Sequence, residues 1–251
     1  MVPYQRPKLL RVFGKTKNGF VPHFIPYFGP GIDIKSLGYE TKIKISEKVK
    51  AELGCKRFFF SATRHVWGED VQSLPSNKGN DVIIKVFSKY LKTGVEPNTL
   101  LVLIEKGPNV ERTKKLIKEL GIDSKVVWLT ERPRTQLFKY FAGADILFEQ
   151  FNTGCFTFGS LEGMICYTAV FSYIGDTSNT AEHPFYPESP VVFNSKNVEE
   201  MTNRVIDLVK NPEKLRYIQE ESAKWAWRNC ADKHVIEGFK KMIGIMDNIC
   251  N

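Results

Sequence analysis

A regular alternation of apolar runs with amphipathic segments is the feature that most limits how this 251-residue chain can fold. Buried strands are predicted at KRFFFSAT, TLLVLIE, KVVWLT, DILFEQF and TAVFSYI, followed by a shorter apolar run, PVVF. The segments between them have helical spacing and end at glycine or begin with proline. Such alternation is typical of right-handed β-α-β units. The predicted fold class is therefore α/β: a Rossmann-like, doubly wound parallel sheet of about six strands with helices on both faces.

The two ends of the chain differ from this central pattern. Residues 1–40 contain FVPHFIPYFGPG, whose prolines and glycines predict an irregular lead-in or interdomain linker region. Residues 41–251 are predicted to form the sheet domain with its terminal helices. From Asn197 onward the pattern is helical without a strand candidate, which predicts two or three C-terminal helices packed on the sheet. Trp225 and Trp227 in these helices belong either to the core or to an exposed docking surface.

The charge balance limits the partners without selecting one. A net charge of +8 favours phosphorylated metabolites, nucleic acid or an anionic membrane surface. The lysines and arginines are scattered over amphipathic helices and no nucleic-acid motif is present, so we expect no nucleic-acid partner. Peripheral contact with a membrane stays open as a further partner class.

The location and the redox state follow from what the sequence lacks. It contains neither an apolar stretch long enough to span a membrane nor a signal peptide, which predicts a cytoplasmic protein. Its five cysteines include no Cys-x-x-Cys pair, so neither a disulfide framework nor a zinc site is expected. The cysteines are predicted to be reduced thiols.

The loops that follow the strands are where a ligand is expected, because open parallel sheets bind ligands at the carboxyl ends of their strands. The first such loop, RHVWGEDVQSLPSNKGND, carries Arg64, Lys78 and His65; the histidine is either a phosphate ligand, a general acid or a polar residue that orients the arginine. The loop FNTGCFTFGS opens a helix with small residues, which favours an anion. Glu162 lies one turn into that helix, faces solvent or a ligand, and suits a ribose diol. Neither Gly-x-Gly-x-x-Gly nor a P-loop is present, which argues against a standard dinucleotide or nucleoside triphosphate site.

Seven ordered blocks over about residues 22–235, among them FIPYFGPGID, FFFSATRHVW, LIEKGPNVERTKKLIKELGI and GCFTFGSLEGMICYTAV, resemble one family. The resemblance is to the C-terminal, nucleotide-sugar-binding half of glycosyltransferases group 1, the glycogen-synthase-like retaining enzymes of the GT-B fold. It implies one half of a GT-B fold and a UDP- or GDP-linked sugar as donor substrate. It also implies transfer with retention, with no cofactor and no metal.

The resemblance assigns roles to residues near the diphosphate. Arg64 and Lys78 match the cations that neutralise the donor diphosphate, although a long insert separates them here. Thr157 and Phe158 fall in the loop whose amides approach the phosphates. Glu162 matches the second glutamate of the Glu-x7-Glu motif and would hold the ribose hydroxyls.

The resemblance also places the base and the sugar. Thr130, Glu131 and Arg132 occupy the turn beside the nucleobase. The first glutamate of Glu-x7-Glu falls on Gly154, so a side chain that contacts the donor sugar is missing, and Glu149 is expected to reach in from the preceding strand. The motif after it appears as ICYTAV, without the usual glycine and proline.

Two functions remain open from the sequence. The first is a glycosyltransferase whose donor-binding half is this chain, which transfers a sugar from a nucleotide-diphospho-sugar to an acceptor. In the family an acceptor domain precedes the lead-in, and here only about twenty residues do. The alternative is therefore a non-catalytic or split-enzyme subunit that binds a nucleotide sugar or pairs with a separately encoded N-terminal half.

Overall fold

The structure is a computed structural model, and it describes residues 37–71, 76–152, 154, 156–175 and 190–230. The predicted lead-in over residues 1–40 lies outside these ranges apart from its last four residues, and so does everything after Cys230. The helices are α1 Tyr39–Leu53, α2 Asn80–Lys92, α3 Val110–Glu119, α4 Arg134–Gly143, α5 Phe158–Ile165, α6 Val198–Lys210 and α7 Pro212–Cys230. The strands are β1 Arg57–Ser61, β2 Thr99–Glu105, β3 Val126–Thr130, β4 Ile146–Phe148 and β5 Ala169–Phe171.

The five strands form one parallel sheet in the order β3-β2-β1-β4-β5. In its register Phe59 lies opposite Leu101 on one side and Ile146 on the other. The predicted Rossmann-like α/β class is confirmed. The sixth predicted strand, PVVF, is reduced to a single parallel bridge between Phe171 and Phe193. Proline has no N–H to donate, and this run is tied to β5 only through Phe193, whose N–H donates to Val170 O at 2.7 Å.

Consecutive side chains of β1 point to opposite faces of the sheet and build two hydrophobic cores. Phe58 and Phe60 lie in the core shared with α1, α4, α5 and α7, whereas Phe59 lies in the core shared with α2 and α6. All three phenylalanines are fully buried. The apolar run of β1 therefore reflects burial on both faces of the sheet, which is what a doubly wound domain requires.

The C-terminal helices close one of these cores. Trp225 is buried and its ring meets Phe156 edge to face, with 5.5 Å between ring centroids. Trp227 is half-buried against the same core. Core packing, one of the two predicted roles, is thus the role of Trp225. Within the described residues no helix is both long enough and apolar enough to cross a membrane.

Helix α1 is joined to the end of α4 by a buried lysine. Lys42 is 2% exposed and its Nζ donates to Ala142 O at 2.9 Å and to Ala144 O at 2.8 Å. Ser46 Oγ donates to Gly143 O at 2.7 Å. These bonds satisfy carbonyls that a helix end leaves without partners. Burial lowers the pKa of Lys42 to about 8, and the charge of nearby Asp145 opposes that shift.

Candidate functional site

The loop after β1 folds back onto the segment after β4. Lys78 N donates to Val66 O at 2.7 Å, and Phe151 N donates to Lys78 O at 2.9 Å. Thr63 Oγ1 donates to the carbonyl of Glu149 at 2.8 Å, so the start of the same loop is tied to the same segment. The long insert between Arg64 and Lys78 therefore does not carry Lys78 away from the carboxyl end of the sheet.

A left-handed glycine permits this close approach. Gly79 has a φ of 66° and precedes the first residue of α2, and a Cβ at this position would lie 3.1 Å from Phe151 Cβ. Asn77 Oδ1 accepts from Gly79 N at 2.9 Å, and Asn80 Oδ1 accepts from Val66 N at 3.0 Å. Lys78 is thus held in a tight turn at the start of α2.

The loop after β2 packs against the same turn. His65 N donates to Lys106 O at 2.7 Å, and Asn109 N donates to His65 O at 3.0 Å. Gly107 has a φ of 115°, and a Cβ there would lie only 2.6 Å from His65 O. A side chain at Gly107 would therefore push the two loops apart.

His65 packs between the loop after β1 and its neighbours. Its side chain is buried, Nδ1 lies 3.0 Å from Thr113 Oγ1, and its ring centroid is 5.1 Å from that of Trp128. Burial lowers the pKa of His65 to about 4, so the ring is neutral at pH 7. Nε2 is buried and has no hydrogen-bond partner among the described residues.

Arg64 lies exposed immediately before this histidine. Among the described residues, its side chain forms no hydrogen bond and no ion pair. Lys78 is half-buried, and its charge acts on the carboxyl group of Glu149. The structure therefore brings Lys78 to the segment after β4 and leaves the Arg64 guanidinium without a protein partner in the part of the chain it describes.

Glu149 follows β4 directly and lies beneath the start of α5. A Cβ on Gly159 would be 3.1 Å from Glu149 Cγ, and Ser172 Oγ donates to Glu149 Oε2 at 3.5 Å. Burial raises the pKa of Glu149 to about 7, and this shift is opposed by the charge of Lys78 and by a hydrogen bond from Thr157. Glu149 thus lies against the start of α5, and its predicted contact with the donor sugar stays a prediction.

The start of α5 is a capped helix N-terminus. Thr157 is the N-cap, and its Oγ1 accepts from Ser160 N at 3.3 Å. Phe158, the first residue of the helix, is 37% exposed. Gly154 has a φ of 65°, a conformation that disfavours the glutamate of the family motif at this position. It touches the loop after β5, where a Cβ on Gly175 would lie 2.9 Å from Gly154 O.

Glu162 is paired with an arginine that the sequence analysis did not single out. Its Oε1 contacts Nε of Arg134, the first residue of α4 after Pro133. The side chain of Glu162 is 15% exposed and that of Arg134 is 53% exposed. Burial raises the pKa of Glu162, and the charge and hydrogen bond of Arg134 counteract the rise. In the sequence, only the position of Arg134 shortly after the third strand marks it as a candidate site residue.

The remaining predicted residues lie at the end of β3 and in the loop that follows it. Glu131 forms an exposed ion pair with Lys106 of the neighbouring loop. Thr130, the last residue of β3, is exposed, and Arg132 is half-buried. The segments that follow β1, β3 and β4 therefore supply cations, carboxylates and a helix N-terminus at the carboxyl end of the sheet. The described residues contain no cluster of three or more His, Cys, Asp or Glu side chains placed to hold a metal.

Comparison with known families identifies the class of this protein. The model for glycosyl transferases group 1 matches residues 71–225, which is more than half of the chain. The chain belongs to this family. No curated protein matches the sequence.

Solved structures show the same fold in other glycosyltransferases, and these neighbours are GT-B enzymes. A glycosyltransferase from Rickettsia africae aligns over 100% of this chain with a TM-score of 0.65 and 16% identity, and HepE of Anabaena in complex with UDP-glucose aligns over 87% with a TM-score of 0.61 and 16% identity. The catalytic domain of a cholesterol-alpha-glucosyltransferase from Helicobacter pylori aligns over 68%, with a TM-score of 0.52 and 17% identity, and is itself covered to 98%. This chain spans 62% of the Rickettsia chain and 56% of the Anabaena chain.

Proposed function

We propose that this chain is the donor-binding part of a glycosyltransferase that transfers a sugar from a nucleotide-diphospho-sugar to an acceptor with retention of configuration. The observation that carries the proposal is the return of the Lys78 turn to the segment after β4, next to the N-terminus of α5. Family membership supports the class of reaction, and this geometry supports donor phosphates bound beside Lys78 and the start of α5. The HepE structure holds UDP-glucose, which supports a UDP-linked donor; a GDP-linked donor is the other candidate.

The diphosphate would lie between Lys78, Arg64 and the start of α5. When the bond between the anomeric carbon and the phosphate oxygen breaks, negative charge develops on the leaving diphosphate. Lys78 and Arg64 would stabilise that charge, together with the backbone amides that follow Thr157 and include that of Phe158. In this arrangement protein cations carry out the charge neutralisation that a metal ion performs in other transferases.

The rest of the donor would extend towards the loop after β3. Glu162 would accept hydrogen bonds from the ribose hydroxyls, and the nucleobase would lie beside Thr130, Glu131 and Arg132. Glu149 would contact the donor sugar, in the role that the family gives to a glutamate at the position of Gly154. Its pKa of about 7 lets it donate or accept a hydrogen bond there at neutral pH.

The acceptor would be bound by an N-terminal GT-B half or by a separate subunit, because the proposed site lies at the exposed carboxyl end of this sheet. The glycine at position 154 favours the second candidate function, a non-catalytic or split-enzyme subunit that binds the nucleotide sugar. Transferase activity that appears only when a partner half is added would identify a split enzyme. The cytoplasmic location and the peripheral membrane contact stay predictions from the sequence.

Calorimetric titration with UDP and with GDP tests the donor site. We expect the wild-type chain to bind one of them with a dissociation constant below 1 mM and Arg64→Ala to weaken it about tenfold, because a charge-assisted hydrogen bond contributes on the order of 1.5–3 kcal/mol. Glu162→Ala should have a similar effect. The control is Arg216→Ala, which removes an exposed arginine from α7. If neither nucleotide binds at millimolar concentration, or the two site variants bind as tightly as the control, the assignment is wrong.

A further inference from the structure

The pair of Arg134 and Glu162 joins two helices that follow strands at the carboxyl end of the sheet. Arg134 begins α4 after β3, and Glu162 lies on α5 after β4, 28 positions further along the sequence. The closest contact is between Nε of the arginine and Oε1 of the carboxylate. A carboxylate offers about four acceptor sites on two oxygens, so it can accept a further hydrogen bond beside the arginine.

A matched pair elsewhere in the chain shows what is distinctive here. Arg216 and Glu220 use the same two atoms, Nε and Oε1, at 2.8 Å, but they lie one turn apart on α7. That glutamate side chain is 30% exposed, twice the 15% of Glu162. An exposed i,i+4 pair is a common local contact of small energetic consequence. The pair at Glu162 instead places a cation beside a largely buried carboxylate.

Burial and the arginine act on Glu162 in opposite directions. A largely buried carboxylate without a counter-charge tends to take up a proton and then offers fewer acceptor sites. Within the described residues, Arg134 is the cation that contacts this carboxylate. The thiol of Cys166, one turn further along, is also buried and adds no positive charge. The side chain of Arg134 is 53% exposed, and that of Glu162 keeps 15% of its surface exposed beside it.

We propose that Arg134 is a positioning residue for the donor ribose: by pairing with the carboxylate it keeps Glu162 ionised and fixed, so that Glu162 can accept the ribose hydroxyl. This inference rests on the proposed function, because it needs a nucleotide at the carboxyl end of the sheet. Arg134 should therefore raise the affinity for the nucleotide only when the ribose hydroxyl is present, and only by acting on Glu162.

In the opposite arrangement, which we call a latch, Arg134 would block Glu162 and the donor would have to displace it. Removing the arginine would then free the carboxylate and tighten nucleotide binding. The remaining exposure of Glu162 argues against this, since 15% of its side chain is still accessible beside Arg134. The two arrangements predict changes of opposite sign.

The decisive experiment compares UDP with 2′-deoxy-UDP in calorimetric titrations of wild type, Arg134→Gln, Glu162→Gln and the double variant. If the wild type binds GDP instead, GDP and 2′-deoxy-GDP replace them. We expect Arg134→Gln to weaken UDP about tenfold and the deoxy nucleotide less than about threefold, because the lost interaction acts on the hydroxyl. The double variant should bind no more weakly than Glu162→Gln alone. Arg216→Gln, the matched control, should change neither affinity more than about twofold.

The pH dependence gives a second readout that a purely structural role would not produce. Without its counter-charge Glu162 should take up a proton at a higher pH, so the wild-type advantage over Arg134→Gln should widen as pH falls from 8 to 5.5. The titration of the nucleotide itself cancels in this ratio. Far-ultraviolet circular dichroism of Arg134→Gln, Glu162→Gln and the double variant checks that each of them is folded.

Each outcome has a distinct meaning. If the wild type binds neither nucleotide, the proposed function fails and this inference fails with it. If the wild type binds and Arg134→Gln weakens both ribose forms equally, or has no effect, the inference alone is overturned. Tighter binding by Arg134→Gln would show a latch and would also overturn it.

Discussion

The two ends of the sheet use the same kinds of charged side chain for different purposes. At the amino end, Asp145 accepts from Lys50 Nζ at 2.8 Å and from the backbone N–H of Phe58 at 3.1 Å, and Arg57 lies 3.4 Å from the same carboxylate. The side chain of Asp145 is 9% exposed. Every charge in this group has a partner inside the fold, so the network serves to join α1, β1 and β4.

At the carboxyl end the charges are less evenly matched. Arg64 has no partner among the described residues, and burial of the carboxyl group raises the pKa of Glu149 to about 7. Lys78 is held there by its backbone, through bonds to Val66 and Phe151. The amino end thus pairs its charges within the fold, whereas the carboxyl end leaves the Arg64 guanidinium unpaired among the described residues.

Asp145→Ala should have the largest effect on stability. It would leave Lys50, Arg57 and the Phe58 N–H without their acceptor, and breaking a buried pair by removing one partner costs on the order of 3–5 kcal/mol. Urea unfolding measures the loss. Asp207→Ala, which removes a more exposed partner of Lys214, should cost less than about 1 kcal/mol. Equal losses of stability in both variants would show that the Asp145 network stabilises the fold no more than an exposed ion pair does.

Lys42→Met should change the pH dependence of stability at the amino end. The folded pKa of Lys42 is lowered to about 8 from an ordinary value of 10.5, so between these values the unfolded chain binds more protons than the folded chain. The stability of wild type relative to Lys42→Met should therefore rise with pH over this window, by roughly 3 kcal/mol. Urea unfolding at pH 7.5 and 10 measures the change. Lys48→Met, on the exposed side of the same helix, should show no such trend.

Glu149→Gln should show the opposite trend at the carboxyl end. The folded pKa of Glu149 is raised to about 7 from 4.5, so the folded chain holds a proton that the unfolded chain releases between these values. Wild-type stability relative to Glu149→Gln should fall as pH rises from 4.5 to 7, by about 2 kcal/mol. Thermal unfolding at pH 5 and 8 tests this. A difference that stays constant between those pH values would show that Glu149 is not held in a desolvated place.

The smallest effect is expected at two helix caps. Thr157 caps α5 through one amide at 3.3 Å, whereas Asn197 caps α6 through two amides at 2.9 and 3.0 Å. Thr157→Ala should lower stability by about 1 kcal/mol or less, and Asn197→Ala by at least as much. Only Thr157→Ala should also weaken nucleotide binding. If both caps affect binding alike, the effect is one of stability rather than of position.

Much of the fold could be predicted because burial on both faces leaves a direct trace in the sequence. Phe58, Phe59 and Phe60 form one continuous apolar run because they serve two cores, and this run predicted β1. The sixth strand was overestimated, since PVVF is also apolar but pairs only at Phe193. Apolar composition reports burial, and it does not report how many backbone hydrogen bonds a segment makes.

The site was less predictable because its contacts are long-range. The position of Glu149 directly after a strand could be read from the sequence, but the ion pair of Arg134 and Glu162 depends on how two helices meet in space. The burial of Lys42 could not be read from the sequence, because its carbonyl partners lie about a hundred positions away. The sequence left three roles open for His65, and none of them included its burial against Trp128.

The most direct test compares two lysines at opposite ends of the sheet, Lys78 and Lys50, by nucleotide titration and by urea unfolding. If the carboxyl end is the diphosphate site, Lys78→Ala should weaken UDP or GDP binding at least tenfold with little change in stability. Lys50→Ala should lose stability, because Asp145 loses a partner, and keep its nucleotide affinity. Unchanged nucleotide affinity in Lys78→Ala, or an equal loss of affinity in both variants, would contradict the assignment of the donor site.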